Sequence, residues 1–171
     1  MPAPITKVTS TWDSLGNLLF KTAAGATIAT MDGSSGSMTV TTGSATQYQR
    51  IRTTTANVNA GATLLAAVAG YKYRLVDVSM IAIGGNAATA TAVEIYGTQS
   101  TSTVALVSAA VAALTRSTVA KPNTSNVTVL ADGASFVACD ANTAITIGKT
   151  GGSLATATHI DVIITYSLDA A

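Results

Sequence analysis

The chain has 171 residues, nine Lys and Arg against eight Asp and Glu, one His and one Cys, and 10% of its residues are charged. That length suits one main domain with a small appendage, and a net charge of +1 with no dense basic cluster speaks against nucleic-acid binding through phosphate neutralisation. The mean hydropathy is +0.43, yet every apolar run is broken by Gly, Thr, Ser or a charge well before the ~20 residues a membrane-spanning helix needs.

The opening stretch MPAPITKVTSTWDS has no apolar segment behind Lys7, so it does not read as a secretory leader, and synthesis in the cytoplasm is expected. Three short strands follow, each led by a glycine: GNLLFKT from Gly16, GATIATM from Gly25 and GSMTVTT from Gly36. Alternation places Leu18 with Phe20, Ile28 with Thr30, and Met38 with Val40, the pattern of brief hairpins. The Gly/Ser-rich MDGSSGSM reads as a flexible turn. Strands this short cannot bury their apolar faces alone, which predicts an arm that docks on a partner or on identical chains. The arm is assigned to residues 1–46 and the main domain to 47–171.

The main domain begins with a Thr-rich segment, Arg50 to Val58, suited to an edge strand. Arg50 and Arg52 share one face of it, as Lys72 and Arg74 do further on; a solvated strand face accounts for both pairs, and an acidic partner is the sharper alternative. In YKYRLVDVSMIAI, Tyr71, Tyr73, Leu75, Asp77 and Ser79 alternate with Lys72, Arg74, Val76, Val78, Met80 and Ala82, and the second half is apolar on both sides. Gly84, Gly85 and Asn86 then predict a hairpin into TATAVEIYGT. VALVSAAVAALTRS reads as a strand over Val104–Val107 followed by a short helical crossover. VTVL, SFVAC, AITIG and the closing HIDVIITYSL complete the set of strands. The spacing of about ten residues between turn signals predicts an all-β fold, an antiparallel β-sandwich or jelly roll with a small N-terminal β-hairpin arm.

No pattern of residues marks a catalytic centre, and the chain is expected not to be an enzyme. His159 and Asp161 are spaced to share a strand face, but no Ser or Thr stands in a nucleophile frame to complete a triad. One His and one Cys are too few for a zinc site, and Asp132 and Asp140 sit in turn contexts without the ligand spacing calcium requires, so no metal or cofactor is expected. GKTGGS lacks the earlier glycine of a phosphate-binding loop and reads as a turn with an exposed Lys149. Cys139 reads as a small buried apolar residue. Asn123 and Asn126 head glycosylation triplets that carry little weight without a leader. Aromatic residues are 5% of the chain, and Ala and Thr stand where Leu and Phe usually fill a core, which predicts a thin core supplemented by subunit contacts.

LLAAVAGYKYRLVDVSMIAIGGNA, VLADGASFVACDANTAITIGKTGG and THIDVIITY together resemble capsid decoration, or cement, proteins of tailed bacteriophages with a jelly-roll-like domain. The likeness covers roughly residues 60–168, and GNLLFKTAAGATIATMDG is similar to glycine-punctuated strands of phage fibre and decoration proteins. The resemblance implies a homotrimer on the virion surface that bridges subunits of the major capsid protein. It carries over no residue with a defined role. Trp12, Leu18, Phe20 and Ile28 of the arm are the expected contact residues, and they serve equally well as a small hairpin core. The alternative is a tail-fibre or adhesin module binding a host-surface glycan, for which Trp12, Tyr48, Tyr71, Tyr73, Tyr96 and Tyr166 are the available aromatics.

Overall fold

The computed structural model describes residues 8–22, 27–34, 38–40, 46–122 and 124–171. The chain divides into two compact units, Met1–Ala45 and Thr46–Ala171. Both are antiparallel β structures. The first is a four-strand meander in the order β1 (Val8–Trp12), β2 (Leu18–Thr22), β3 (Thr27–Met31) and β4 (Met38–Val40). The residues ahead of Val8 and residues 35–37 of the expected Gly/Ser turn lie outside the described residues.

The second unit holds eight strands in two sheets. In chain order they are β5 (Gln47–Thr54), β6 (Thr63–Leu65), β7 (Tyr71–Ile83), β8 (Ala88–Gln99), β9 (Ser102–Ala110), β10 (Val127–Val129), β11 (Ile145–Ala155) and β12 (His159–Ala170). One sheet runs β10-β9-β8-β11-β6 and the other β5-β12-β7. The pairings are nested. The first strand pairs with the last, the second with the seventh, and the fourth with the fifth. The third, β7, exchanges two backbone hydrogen bonds with Ala120, which precedes the sixth strand (Met80 N to Ala120 O 2.9 Å, Ala120 N to Met80 O 2.8 Å). A long hairpin rolled onto itself gives this order, and rolling brings β12 beside β7 and β11 beside β8. The topology is that of a jelly roll whose sixth strand leaves the β7 edge and finishes on β9.

The core between the two sheets is made of large aliphatic side chains. Leu75, Val78 and Met80 from β7 and Ile160, Val162 and Ile164 from β12 meet Val93, Ile95, Leu106, Ile145 and Ile147 from the facing sheet, all at most 1% exposed. The expected thin core is therefore not found in this unit: Ala, Thr and Ser dominate the composition, but many of them lie on outer faces and in turns, where averaged composition cannot distinguish them. Tyr73 and Tyr166 meet edge to face at 5.3 Å between ring centres. Each hydroxyl finds an acceptor, Ala66 O for Tyr73 at 2.6 Å and Gln47 Oε1 for Tyr166 at 3.1 Å.

Five local expectations are corrected. Residues 84–86 do not close a hairpin, because β7 and β8 lie in different sheets. Both strands have an apolar face to bury, and an arch from one sheet to the other lets those faces meet. The strand expected over Arg50–Val58 stops at Thr54, whose Oγ1 caps a short helix, α1 (Thr55–Ala60), by accepting from Asn57 N at 3.1 Å. Gly61 ends α1 in the left-handed conformation at φ 79°, and Val58 is fully buried beneath it. The strand expected over Val104–Val107 runs from Ser102 through Ala110, with a 3-10 turn, Val111–Ala113, in place of a helical crossover. SFVAC is not a strand: Ala131–Phe136 forms 3-10 turns, and buried Ser135 donates to Leu106 O while accepting from Leu130 N at 2.7 Å. GKTGGS likewise lies inside β11, where register shifts at Gly151 absorb the glycines.

The long alternation of β7 changes phase at a bulge. Thr165 pairs with Asp77 but Tyr166 pairs with Leu75, so Val76 has no partner in β12 and points out, 48% exposed. Tyr73 and Leu75 therefore share the inward face with Val78, Met80 and Ala82 rather than with Asp77.

Candidate partner-binding surface

The N-terminal sheet has one apolar face. Directly opposed residues in an antiparallel sheet point the same way, and the register aligns Trp12, Leu18 and Met31 in one row across β1, β2 and β3, with Met38 of β4 as Met31's backbone partner. Two residues along, Ser10, Phe20 and Ala29 form the next row on the same side. The other side carries Thr11, Leu19 and Thr30, then Thr9 and Lys21. The first hairpin is locked by Asp13, whose Oδ1 accepts from Leu15 N and Asn17 N at 2.9 Å each and whose Oδ2 accepts from Asn17 Nδ2 at 3.0 Å. These bonds hold the Asp13 carboxyl below its ordinary range, the backbone and side-chain bonds from Asn17 contributing most. The turn leaves Leu15 at its tip, 84% exposed.

Among the described residues of this sheet only Ala29 is a buried apolar residue, while Trp12 is 69% and Met31 36% exposed. Leu18 and Phe20 are half-buried. Three of the four expected contact residues, Trp12, Leu18 and Phe20, thus share one face. The fourth, Ile28, falls at the register shift where Phe20 pairs with Ala29 and Lys21 with Thr27, and its side chain lies outside the described residues. Met31 was not among the expected residues. Its signal is the alternation with Ala29, which the pairing of Ile28 with Thr30 obscures.

In the second unit the outer face of the three-strand sheet carries the charged residues singled out in the sequence. Asp161, 1% exposed, takes two hydrogen bonds from Arg52 (Nε to Oδ1 2.7 Å, Nη2 to Oδ2 2.9 Å) and one from Arg50. The arginine pair therefore has an acidic partner inside its own chain. The bonds from Arg52, then those from Arg50, outweigh desolvation and bring the Asp161 carboxyl down to about 2. Arg74 of the other pair meets Asp169 at 2.6 and 2.8 Å. His159 Nδ1 lies 3.0 Å from Thr158 Oγ1, and the carboxylate it was spaced to meet is engaged by the arginines. Tyr48, on the Arg50 side of β5, is 66% exposed.

The outer face of the five-strand sheet is uncharged except at Glu94. Tyr96 Oη and Ser108 Oγ both donate to its carboxylate, the latter at 2.9 Å. Burial, then the bond to Glu94, pushes the Tyr96 phenol up to about 12. Cys139 is buried beneath Gly97, and burial raises its thiol, so it is not poised as a nucleophile. Asp140 accepts from the backbone of Ser100 (3.2 Å) and Thr101 (2.7 Å), which fixes the β8–β9 turn. Among the described residues no three His, Cys, Asp or Glu side chains gather where they could hold a metal ion, and no helix is long and apolar enough to cross a membrane. Asn123 lies outside the described residues.

The chain matches no protein-family model, no curated protein and no solved structure.

Proposed function

We propose that this protein is a structural component of a bacteriophage virion, which decorates the capsid and stabilises it by bridging neighbouring major capsid subunits, as a homotrimer. The observation that carries this reading is the apolar face of the N-terminal sheet. Among its described residues this sheet presents Trp12 and Met31 to solvent, with Leu15 at its edge, and buries only Ala29 of its apolar side chains, which leaves little to offset the cost of ordering it. A second surface laid over that face supplies the missing burial.

In this mechanism the jelly roll is the rigid body and the arm is the grip. The jelly roll has an aliphatic core of its own, and in this reading the arm reaches across the joint between shell subunits. Because the arm binds the assembled shell and not the separated subunits, occupancy stabilises the assembled state by mass action, about 2.7 kcal/mol per site at a hundred times the dissociation constant. The protein is made in the host cytoplasm and functions on the capsid surface.

Removal of residues 1–45 is the direct test. The expected result is a truncated protein, 46–171, that keeps the thermal midpoint of its jelly roll and no longer co-sediments with shells. Full occupancy by the truncated protein would overturn the reading, and cryo-EM of purified virions showing it on the tail would overturn the capsid assignment.

A further inference from the structure

The outer face of the five-strand sheet contains a hollow that the proposed structural role does not use. It has a volume of about 190 Å³ and is lined by Tyr96, Gly97, Thr98, Thr103, Ala144 and Thr146. Two constraints create it. Gly148, two residues beyond Thr146 on the neighbouring strand, has no side chain, and a Cβ there would lie 2.9 Å from Tyr96 Cε2, so the ring rests where a side chain would otherwise stand. The Tyr96 hydroxyl is drawn the same way by Glu94, two residues back along β8. With the ring tied toward Glu94 and Gly148, the space beside Thr98 and Thr146 is left open.

The lining has a distinct chemistry. Thr98, Thr103 and Thr146 each bring a hydroxyl to the lining, and none of these three makes a hydrogen bond to another described residue. No charged side chain borders the hollow, and Tyr96 supplies an aromatic wall whose phenol stays protonated through the neutral range. We propose that this hollow is a subsite for one neutral, hydroxyl-rich ring, a single sugar unit of a glycan. The three free hydroxyls meet the ring's hydroxyls, the aromatic wall takes its C–H face, and the lack of a cation disfavours carboxylated or phosphorylated sugars. The volume is below that of drug-sized pockets and matches one ring rather than an oligosaccharide. The inference is independent of the capsid reading, since it concerns the jelly roll alone.

The test is an amide-resolved NMR titration of the full-length protein with glucose, galactose, mannose and N-acetylglucosamine separately, to about 50 mM, the range in which single-ring contacts saturate. The expected result is saturable shifts at residues 96–98, 103 and 144–146 with at least one sugar. The double variant Thr98→Val, Thr146→Val keeps β-branched side chains of nearly the same shape, so the strands persist, and it should weaken that sugar about tenfold. No saturable shift with any of the four sugars would overturn the proposal. So would shifts centred on another surface, or unchanged affinity in the double variant with its spectrum otherwise intact.

Discussion

Arg52 on β5 stands directly opposite Asp161 on β12, and its guanidinium grips both oxygens of that carboxylate at 2.7 and 2.9 Å, across 109 residues of sequence. The bond ties the first strand of the jelly roll to its last, the outermost pairing of the rolled hairpin. Arg50, two residues before, approaches the same carboxylate from the side.

This arrangement sets an acid limit on stability. Asp161 is held at about 2 in the folded chain against 3.8 for the free group, so its contribution is complete above pH 3.8 and is lost as pH falls toward 2. Because both arginines are half exposed, the contribution is on the order of 1–2 kcal/mol rather than the full value of the shift. Asp161→Asn should lower the thermal midpoint at pH 7 and flatten its dependence between pH 4 and about 2. Parallel curves for wild type and variant over that window would sink the assignment.

The arm face predicts a separation of stability from attachment. Trp12→Ser removes a side chain that is 69% exposed and should change the thermal unfolding of the jelly roll by less than about 0.5 kcal/mol. Shell co-sedimentation should fall by about tenfold or more if the ring is a buried anchor in the bound state. Thr11→Ser, on the opposite face of the same strand, serves as the control and should leave both unchanged.

Gly148→Ala should cost about 1 kcal/mol, because the new methyl meets the Tyr96 ring and the ring cannot move without leaving Glu94. The cost should largely vanish in a Tyr96→Ala background. A double-mutant cycle by urea unfolding measures the coupling, and strictly additive effects would show that the ring does not rest on Gly148.

The β7 bulge predicts an unusual tolerance. Deleting Val76 joins Leu75 to Asp77 and restores unbroken pairing with Tyr166 and Thr165, leaving every inward residue inward. Deleting Ile81 instead turns either Ala82 or Met80 out of the core, a one-residue slip in a strand buried on one side. The first variant should unfold cooperatively near the wild-type temperature, while the second should fail to give a cooperative transition.

The strands themselves were legible in the sequence because period-two alternation is local. LLFKT, TIATM and HIDVIITYSL declare their two faces within a few residues, and the all-β fold follows from their number and spacing. Part of the candidate surface was legible for the same reason: Leu18 and Phe20 lie two apart on one strand. The row that joins them to Trp12 and Met31 was not, since alternation says which residues of a strand agree and not which strand lies beside it.

Everything that depended on a partner far along the chain was decided by the tertiary structure. The glycines and Asn86 signal a turn after β7, but whether the chain returns in the same sheet or crosses to the other depends on where the apolar faces of β7 and β8 can meet. Arg50 and Arg52 look like a free basic pair until β12 places Asp161 between them. The hollow beside Tyr96 exists only because Gly148 of another strand stands next to it. By itself the sequence determined that this chain is a set of two-faced strands with almost no reactive side chains; the rolling of one long hairpin determined which faces became core and which were left to solvent, because burial rewards any closed pairing of apolar faces and only chain connectivity selects among them.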